Sequence, residues 1–362
     1  MSLELKNISL TVDGKPHIYE TNLTLEEATM NVLLGATLSG KTTLMRIMAG
    51  LEKPSGGQII WNGEDVTDKR VQDRDVAMVY QQFINYPTLS VYENIASPLR
   101  VMKKNQSEIE TAVKEAAELL KLEPFLTRKP MELSGGQQQR CALARALVKG
   151  AGLVLLDEPL ANLDYKLREE LREEIPKIFE RSGAIFVYAT TEPEEALLLG
   201  GNTATLYEGR VSQFDKTSHV YRRPIDAVTA GVFSNPPMNF LKLSKKGRKI
   251  TFADGTISET KDDSSNLSDG DYIAGFRPNH LELSKHSAEA IEFSAKLNVT
   301  EITGSETFIH MSHAGEKWVG LVHGVHDLAL GDDISVYLDP SHIYTFAEDG
   351  KLARAASYAV KG

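Results

Sequence analysis

The feature that most constrains this chain is a glycine-rich segment near its N-terminus that fits the pattern G-x-x-x-x-G-K-[ST]. The segment and the threonine after it comprise Gly35, Ala36, Thr37, Leu38, Ser39, Gly40, Lys41, Thr42 and Thr43. An apolar run, Met30 to Leu34, precedes it, and a helix-period run, Leu44 to Leu51, follows it. In such a strand–loop–helix unit the backbone N–H groups turn inward around phosphates, and the helix N-terminus favours negative charge. The segment therefore predicts an α/β domain that binds a nucleoside triphosphate.

Two carboxylates follow a second apolar run. The run Leu153 to Leu156 ends in Asp157 and Glu158. Because open α/β sheets bind ligands at the carboxyl ends of their strands, both carboxylates are expected beside the phosphate loop. There Lys41 would reach the β- and γ-phosphates, and Thr42 and Asp157, the latter through water, would hold Mg²⁺. Glu158 suits activation of the attacking water, so these features predict a nucleotide hydrolase.

The length of the chain, 362 residues, favours two domains, because one hydrophobic core rarely keeps growing to that size. Pro236 and Pro237 cannot continue regular structure, so we place the boundary there, with domains at 1–235 and 236–362. In the first domain, nearly continuous apolar runs predict parallel strands buried on both faces. These strands are expected at Met30 to Leu34, Val76 to Tyr80, Leu153 to Leu156 and Ala184 to Ala189.

Helical stretches are expected between these strands, at Ser107 to Leu122 and at Tyr165 to Arg181, the latter so heavily charged that we expect it to be mostly solvated. The second domain has short alternating runs broken by Gly, Asp and Ser, which predict a small β-barrel. The runs are Lys249 to Phe252, Tyr272 to Phe276, Ala295 to Ile302, Thr307 to Met311 and Ile334 to Leu338.

The composition of the chain limits the partners and the compartment that can be expected for it. The net charge of -10 and the absence of a dense Lys/Arg run argue against nucleic acid. Cys141 is the only cysteine, so an internal disulfide is excluded and a reducing compartment such as the cytosol is expected. Because no run approaches 18 apolar residues, any link to a membrane is expected to pass through another protein.

A third motif narrows the class of hydrolase. Leu133, Ser134, Gly135, Gly136 and Gln137 form L-S-G-G-Q ahead of an Ala-rich helix, and this run resembles the signature of the ABC ATPases. A serine hydroxyl and Gly-flanked N–H groups at a helix start suit a γ-phosphate. The resemblance implies that the signature of one subunit closes over the ATP of its partner.

Further positions resemble those of the ABC importers of sugars, and the resemblance covers the whole chain. Gln81 matches the glutamine that contacts Mg²⁺ and water, and Asp164 closes an Ala161–Asp164 segment that matches the D-loop at the dimer interface. The segment Asn85 to Ile95 looks like the one that receives the membrane subunit. The C-terminal part, with Gly275 to Leu281, resembles the OB-like (TOBE-type) barrel of the maltose and glycerol phosphate importer ATPases.

The resemblance implies an ATPase subunit that energises import of a sugar, a polyol such as glycerol or a related small polar solute. It implies ATP and Mg²⁺ as cofactors and a peripheral position on the cytoplasmic face of the inner membrane. The implied partners are two transmembrane permease subunits, a second ATPase subunit and, indirectly, an extracytoplasmic solute-binding protein.

The sequence departs from the family at positions that bear on catalysis. Thr191 stands where the family has a histidine that holds the γ-phosphate, and losing such a donor costs roughly 3 kcal/mol, or about a hundredfold in rate. Val12 stands where an aromatic side chain usually stacks on adenine, so Tyr19 or His17 would have to replace it. The signature stays intact, which favours a heterodimer in which Ser134 and Gly136 complete the site of a histidine-bearing paralogue; a homodimer is the alternative.

Other interpretations remain open at this stage. A regulatory half with weak or no hydrolysis of its own would explain Thr191, although Glu158 argues against it. A soluble ABC ATPase of DNA repair or translation would usually carry a coiled-coil insertion or a second nucleotide domain, and an exporter ATPase would ordinarily lack the barrel. Four histidines, His310, His313, His323 and His326, could suggest a metal, but their spacing favours isolated surface or barrel positions.

Overall fold

The computed structural model of the chain describes residues 1–82, 84–161, 163–259 and 267–360. It forms two compact units, Met1–Thr217 and Ser218–Gly362, whereas the boundary expected from the prolines, which stays a prediction, lies at 235/236. Among the helices in the described ranges, none combines the length and the apolar character needed to cross a membrane.

The first unit mixes strands and helices along the chain. Its described strands are β1 (Ser2–Val12), β2 (Lys15–Glu26), β3 (Met30–Leu34), β4 (Gly56–Trp61), β5 (Glu64–Asp65), β6 (Val76–Val79), β7 (Leu153–Asp157), β8 (Ile185–Thr190), β9 (Asn202–Tyr207) and β10 (Arg210–Lys216). Its described helices are α1 (Lys41–Ala49), α2 (Val91–Val101), α3 (Gln106–Leu119), α4 (Gly135–Val148), α5 (Tyr165–Ser182) and α6 (Pro193–Leu199), with 3₁₀ turns at Val71–Asp73, Glu123–Phe125 and Pro130–Glu132.

Two sheets make up the first unit. The main sheet has the order β10-β9-β3-β8-β7-β6, in which β10 is antiparallel to β9 and the other neighbours are parallel. Every residue of β3, β7 and β8 is buried, as expected of parallel strands covered on both faces. The predicted α/β class is confirmed, and the carboxyl ends of these strands meet at one edge of the sheet.

The second sheet of this unit is antiparallel, with the order β2-β1-β4-β5. Its apolar face shares one core with the main sheet, and α1 contributes Leu44, Ile47 and Met48 to that core. Since α1 begins directly after the glycine-rich loop, this packing fixes the loop at the edge where β3 ends. Most of the described side chains of helix α5 are exposed or half-buried, as expected, while Leu171, Ile175 and Phe179 form a buried stripe along it.

The second unit consists mainly of antiparallel strands. They are β11 (Asn239–Lys246), β12 (Lys249–Phe252), β13 (Ile257–Glu259), β14 (Gly270–Phe276), β15 (Leu281–Glu282), β16 (Ile291–Ile302), β17 (Glu306–His313), β18 (Glu316–His323), β19 (Asp333–Leu338), β20 (Tyr344–Ala347) and β21 (Leu352–Arg354). Its short helices are α7 (Thr217–Arg222), which starts at the last residue of the first unit, α8 (Ala227–Val232) and α9 (Ser357–Val360), with 3₁₀ turns at Pro278–His280 and Pro340–His342.

Strands β15-β19-β16-β17-β18 curl into a nearly closed barrel, and β13-β12-β11-β14-β20-β21 form a second sheet. Aromatic rings fill the barrel: Trp318 lies edge-on to Phe276 and Phe293, with ring centroids 4.9 and 5.4 Å apart. The alternation of apolar and polar residues that predicted these strands places the apolar ones in this core, so the predicted barrel class is confirmed.

Candidate nucleotide site

The start of α1 is a helix N-terminus without a side-chain cap. Gly40 occupies the N-cap position with φ +106°, and no described side chain bonds to the first-turn N–H groups. A Cβ at Gly40 would lie 2.9 Å from Ile18 Cδ1, and one at Gly35 would lie 2.4 Å from the carbonyl oxygen of Leu206. Only glycine therefore fits these two positions, and the first-turn N–H groups of α1 are left for an anion.

Lys41 lies buried beneath this loop. Its Nζ donates to the carbonyl oxygens of Gly35 (2.7 Å) and Ala36 (3.0 Å) and lies 3.4 Å from Oε1 of Glu158. Burial lowers the pKa of the Lys41 ammonium, and the neighbouring Glu158 carboxylate opposes this shift. The loop thus holds a lysine directed at its own centre, with a carboxylate beside it.

The two carboxylates at the end of β7 have different surroundings. Asp157 is 2% exposed, and burial raises the pKa of its carboxyl although Thr42 donates to it at 3.1 Å. Glu158 has the left-handed φ of +46°, and its N–H donates to the carbonyl of Ala189 at 3.0 Å. A left-handed non-glycine residue at such a site is a strained conformation that neighbouring contacts have to hold.

Gln81 is the last of the predicted residues found beside Lys41, Asp157 and Glu158. It follows β6, and its Nε2 donates to Oε2 of Glu158 at 3.0 Å. The structure therefore brings together, at one edge of one sheet, the predicted phosphate loop, Asp157, Glu158 and Gln81. A groove of about 530 Å³ opens over them.

Four further residues line the groove, Pro16, His17, Glu208 and Gly209. Of these, the sequence analysis named only His17. His17 is thus the ring at the groove, whereas the ring of Tyr19 is covered by the guanidinium of Arg210, 3.5 Å from its centroid. Glu208 and Gly209 form the turn between β9 and β10, and the sequence indicates such a turn but not where it lies.

The signature residues lie elsewhere on the unit, and no described residue of Ser134–Gln137 lines the groove. Ser134 caps α4: its Oγ accepts from the N–H of Gln137 at 3.4 Å, and its own N–H donates to Oε1 of Gln137 at 3.0 Å. Gly135 and Gly136 form the first turn of α4. Ser134 and Gly135 are exposed at this second helix start.

Other predicted residues also lie outside the groove lining, among them Gly35, Ala36, Asp157, Asp164 and Thr191. Asp164 is exposed, and its carbonyl accepts the N–H of Arg168 at 2.9 Å; Asn162 of the same predicted segment lies outside the described residues. Thr191 is exposed directly after β8. The four histidines belong to the second unit, in which His313 is buried against Trp318 and His310 lies 3.3 Å from Glu301.

Comparisons with known proteins agree with this geometry. The ABC transporter family profile matches residues 18–161. GgtA of Synechocystis, an ATP-binding protein for uptake of osmoprotective compounds, is 33% identical over 97% of this chain and 99% of its own length. MsmX of Bacillus subtilis, an oligosaccharide import ATP-binding protein, is 34% identical over 97% of this chain and 98% of its own.

A solved structure shows the same fold in a dimer. The ATP-binding cassette MJ0796, in a dimeric post-hydrolysis state with ADP and Pi, superposes with a TM-score of 0.55 at 29% identity, over 59% of this chain and 98% of that one. Identity above 30% along nearly the full length of two relatives shows the family. This chain therefore belongs to the ATP-binding proteins of ABC transporters, and its activity is ATP hydrolysis.

Proposed function

We propose that this chain hydrolyses ATP to drive an importer of a sugar, a polyol such as glycerol or a related small polar solute. The observation that supports the catalytic part is that Lys41, Glu158 and Gln81 line one groove. Asp157 is buried and accepts a hydrogen bond from Thr42 of that lining at 3.1 Å. The solute class is supported by GgtA and MsmX, whose names give uptake of osmoprotective compounds and import of oligosaccharides.

The phosphate loop binds and orients the triphosphate. Its N–H groups face the phosphates, and Lys41, which exchanges a carbonyl contact for a phosphate oxygen, adds a charge-assisted hydrogen bond. Because Lys41 is already buried and directed at the loop, little reorganisation accompanies binding.

Thr42, Asp157 and Gln81 fit Mg²⁺. The hydroxyl of Thr42 and the carboxylate of Asp157 lie 3.1 Å apart, and both offer the oxygen ligands that Mg²⁺ prefers. No described group of three or more His, Cys, Asp or Glu side chains could hold a metal ion unaided, and Mg²⁺ needs no such cage where phosphates and waters complete its shell. When bound, it neutralises charge on the phosphates.

Glu158 is the general base in this proposal. Its carboxylate accepts a proton from the attacking water, and the amide of Gln81, 3.0 Å from it, orients that water. Thr191 takes the place of the histidine donor to the γ-phosphate. Since its hydroxyl is short and uncharged, turnover at this chain's own site is expected to be slow rather than absent.

A second surface of the first unit suits the permease. A groove of about 420 Å³ lies along α2 and α4, lined by Tyr86, Pro98 and Val101 among others. Val101, which lines this groove, is 83% exposed, and Leu89, also in the lining, is 37% exposed. An apolar side chain as exposed as Val101 beside a groove suits contact with another protein. We infer that a segment of a transmembrane subunit fills this groove, and that a second ATPase subunit, a paralogue in our proposal, meets the exposed start of α4.

The test is steady-state ATP hydrolysis by the reconstituted transporter with Glu158→Gln and Thr191→His. We expect Glu158→Gln to abolish hydrolysis at this site and Thr191→His to raise it several-fold. If neither substitution changes the rate, this chain is a regulatory half and the chemistry belongs to its partner. Purification of the complex with two copies of this chain alone would refute the heterodimer and leave the catalytic proposal standing.

A further inference from the structure

Four charged side chains of α5 and of the segment after Thr191 form one connected group, called here the α5–α6 ion network; Arg172 also pairs with Glu169 of its own helix at 2.6 Å. Arg168 and Arg172 of α5 both contact Glu192, with N–O distances of 3.0 and 2.7 Å. Arg172 also lies 3.4 Å from Glu195, the fourth member. The side chains of Arg172 and Glu195 are only 16% and 6% exposed, so this is not the loosely held surface pairing that contributes little.

The network holds the residues on both sides of Thr191. Glu195 accepts from the hydroxyl of Thr190 at 2.6 Å and from that of Tyr188 at 3.0 Å. The hydroxyl of Thr190 in turn accepts the N–H of Glu192 at 3.0 Å. Thr191 therefore exposes its side chain from a backbone that is fixed at the residue before it and at the residue after it.

The same network reaches the segment that follows Glu158. Nη2 of Arg168 lies 3.5 Å from the carbonyl oxygen of Ala161. The N–H of Ala161 donates to the carbonyl of Glu158 at 3.3 Å, and the N–H of Glu158 donates to that of Ala189 at 3.0 Å. Contacts thus run without interruption from Glu158 through Arg168 to the loop that carries Thr191.

We propose that Arg168 and Arg172 are positioning residues for ATP hydrolysis, which hold Thr191 at a fixed place relative to Glu158. The inference rests on the proposed function, in which Glu158 activates water and Thr191 faces the γ-phosphate. A threonine hydroxyl reaches less far than an imidazole, so its backbone has to be placed more accurately for a donor distance near 3 Å. A displacement of about 1 Å can cost on the order of 100-fold in rate.

The experiment compares Arg168→Met, Glu192→Gln and the double variant in the reconstituted transporter. We expect each single variant to lower kcat about 10-fold with KM for ATP unchanged, because neither residue contacts the loop that binds the phosphates. The double variant should be no slower than the slower single one, because both remove the same contact. Arg168→Lys, which keeps the charge, should recover part of kcat.

The matched control is Lys177→Met on the same helix. Lys177 pairs with Glu174 at 3.0 Å but is 59% exposed, so its loss should leave kcat, KM and the melting temperature near those of the parent. A network with a purely structural role would lower the melting temperature and leave turnover per folded molecule unchanged. If Arg168→Met does not fold, the test uses Glu192→Gln, which keeps the shape of the side chain, and Arg168→Lys, which keeps its charge.

Glu158→Gln in the same assay separates the two proposals. If it abolishes hydrolysis while Glu192→Gln and Arg168→Lys leave kcat at the parent value, the positioning role is wrong and the proposed function stands. If Glu158→Gln itself has no effect on hydrolysis, the proposed function and the positioning role are both wrong, since the network then positions no catalytic residue. A rise in KM at constant kcat also overturns the inference, because it would place the network in nucleotide binding.

Discussion

The two helix starts with phosphate-binding sequences, at α1 and at α4, are built differently. The start of α1 has glycine at its N-cap and no side-chain cap, with Lys41 and two carboxylates close by. The start of α4 is closed by its own capping box, in which Ser134 and Gln137 bond each other's N–H groups, and no charged side chain takes part in that box.

This difference fits the proposal that one helix start is a phosphate site by itself and that the other is half of a site shared with a second subunit. At α1 the backbone donors, the cation and the carboxylates are assembled within a single chain. At α4 the oxygen of Ser134 accepts the N–H of Gln137, so a phosphate bound there would compete with the cap for that N–H, whereas the serine O–H could still donate to it. That is the arrangement expected where a second subunit supplies the nucleotide.

The largest expected effect is on ATP binding to the isolated chain, which should depend on the start of α1 and not on the start of α4. Lys41→Met should weaken ATP binding to the isolated chain on the order of 100-fold, because it removes a buried cation from the loop. Lys149→Met is the control, since Lys149 likewise donates to a backbone carbonyl, that of Val76 at 2.5 Å, but lies away from the loop. Fluorescent nucleotide titration measures both. Equal affinity for the two variants would mean that the loop does not carry the binding.

The next effect concerns the α4 start. Ser134→Ala should cost about 1 kcal/mol of folding free energy through the lost cap, yet leave ATP binding to the isolated chain unchanged. Hydrolysis by the complex should fall about 10-fold, less than the roughly hundredfold cost of a donor lost from the transition state, because the first-turn N–H groups of α4 remain. Asn105→Ala removes an equivalent capping box from α3 and serves as control. If it slows hydrolysis equally, the effect of Ser134→Ala is only one of stability.

Much of the candidate phosphate site at the start of α1 could be predicted from the sequence, because the patterns that indicate it lie within short segments. Strand β3 was predicted with the bounds it has, Met30–Leu34, since an apolar run before a glycine-rich loop leaves little choice. The carboxylates at 157 and 158 followed, because parallel strands end at a common edge.

The rest depends on pairings between distant segments. Glu208 and Gly209 reach the groove because the N–H of Tyr19 donates to the carbonyl of Gly209, and no local pattern encodes that contact. Arg172 was expected on a solvated helix face because its neighbours in sequence are charged. The buried stripe that includes Leu171, at i+4 spacing, was the signal that one side of α5 packs inward.

A smaller effect is expected in how the melting temperature of variants at the two helix starts depends on pH. Burial holds the pKa of Asp157 above its ordinary value, so its protonated form is favoured in the folded state, and the stability this adds below about pH 4 is lost as pH rises through the raised pKa. Asp157→Asn should therefore raise the melting temperature of the nucleotide-free chain at pH 7, with the difference narrowing towards pH 4. The gain is limited, because the hydrogen bond from Thr42 already offsets part of the burial.

Ser134→Ala is the natural comparison in that pH series. Since the capping box of α4 involves no charged group, its difference in melting temperature from the parent should be the same at pH 4 and pH 8. A pH-independent difference for Asp157→Asn as well would show that burial of its charge does not distinguish the two starts.

The smallest expected effect is on the free energy of unfolding, and it comes from backbone strain in the loop before α1, which Ser134 at the start of α4 does not share. Leu38, within the phosphate loop, has φ +68° with its side chain 96% exposed, whereas Ser134 has an extended backbone. A left-handed conformation costs a side-chain-bearing residue roughly 1–2 kcal/mol, and glycine's extra freedom when unfolded returns about 0.5–1 kcal/mol of that. Leu38→Gly should thus stabilise the chain by no more than about 1 kcal/mol, measured by urea unfolding, without changing ATP affinity. Destabilisation by this variant would mean that the exposed leucine makes contacts worth more than its strain, and the phosphate loop could then no longer be described as a cradle formed by backbone groups alone.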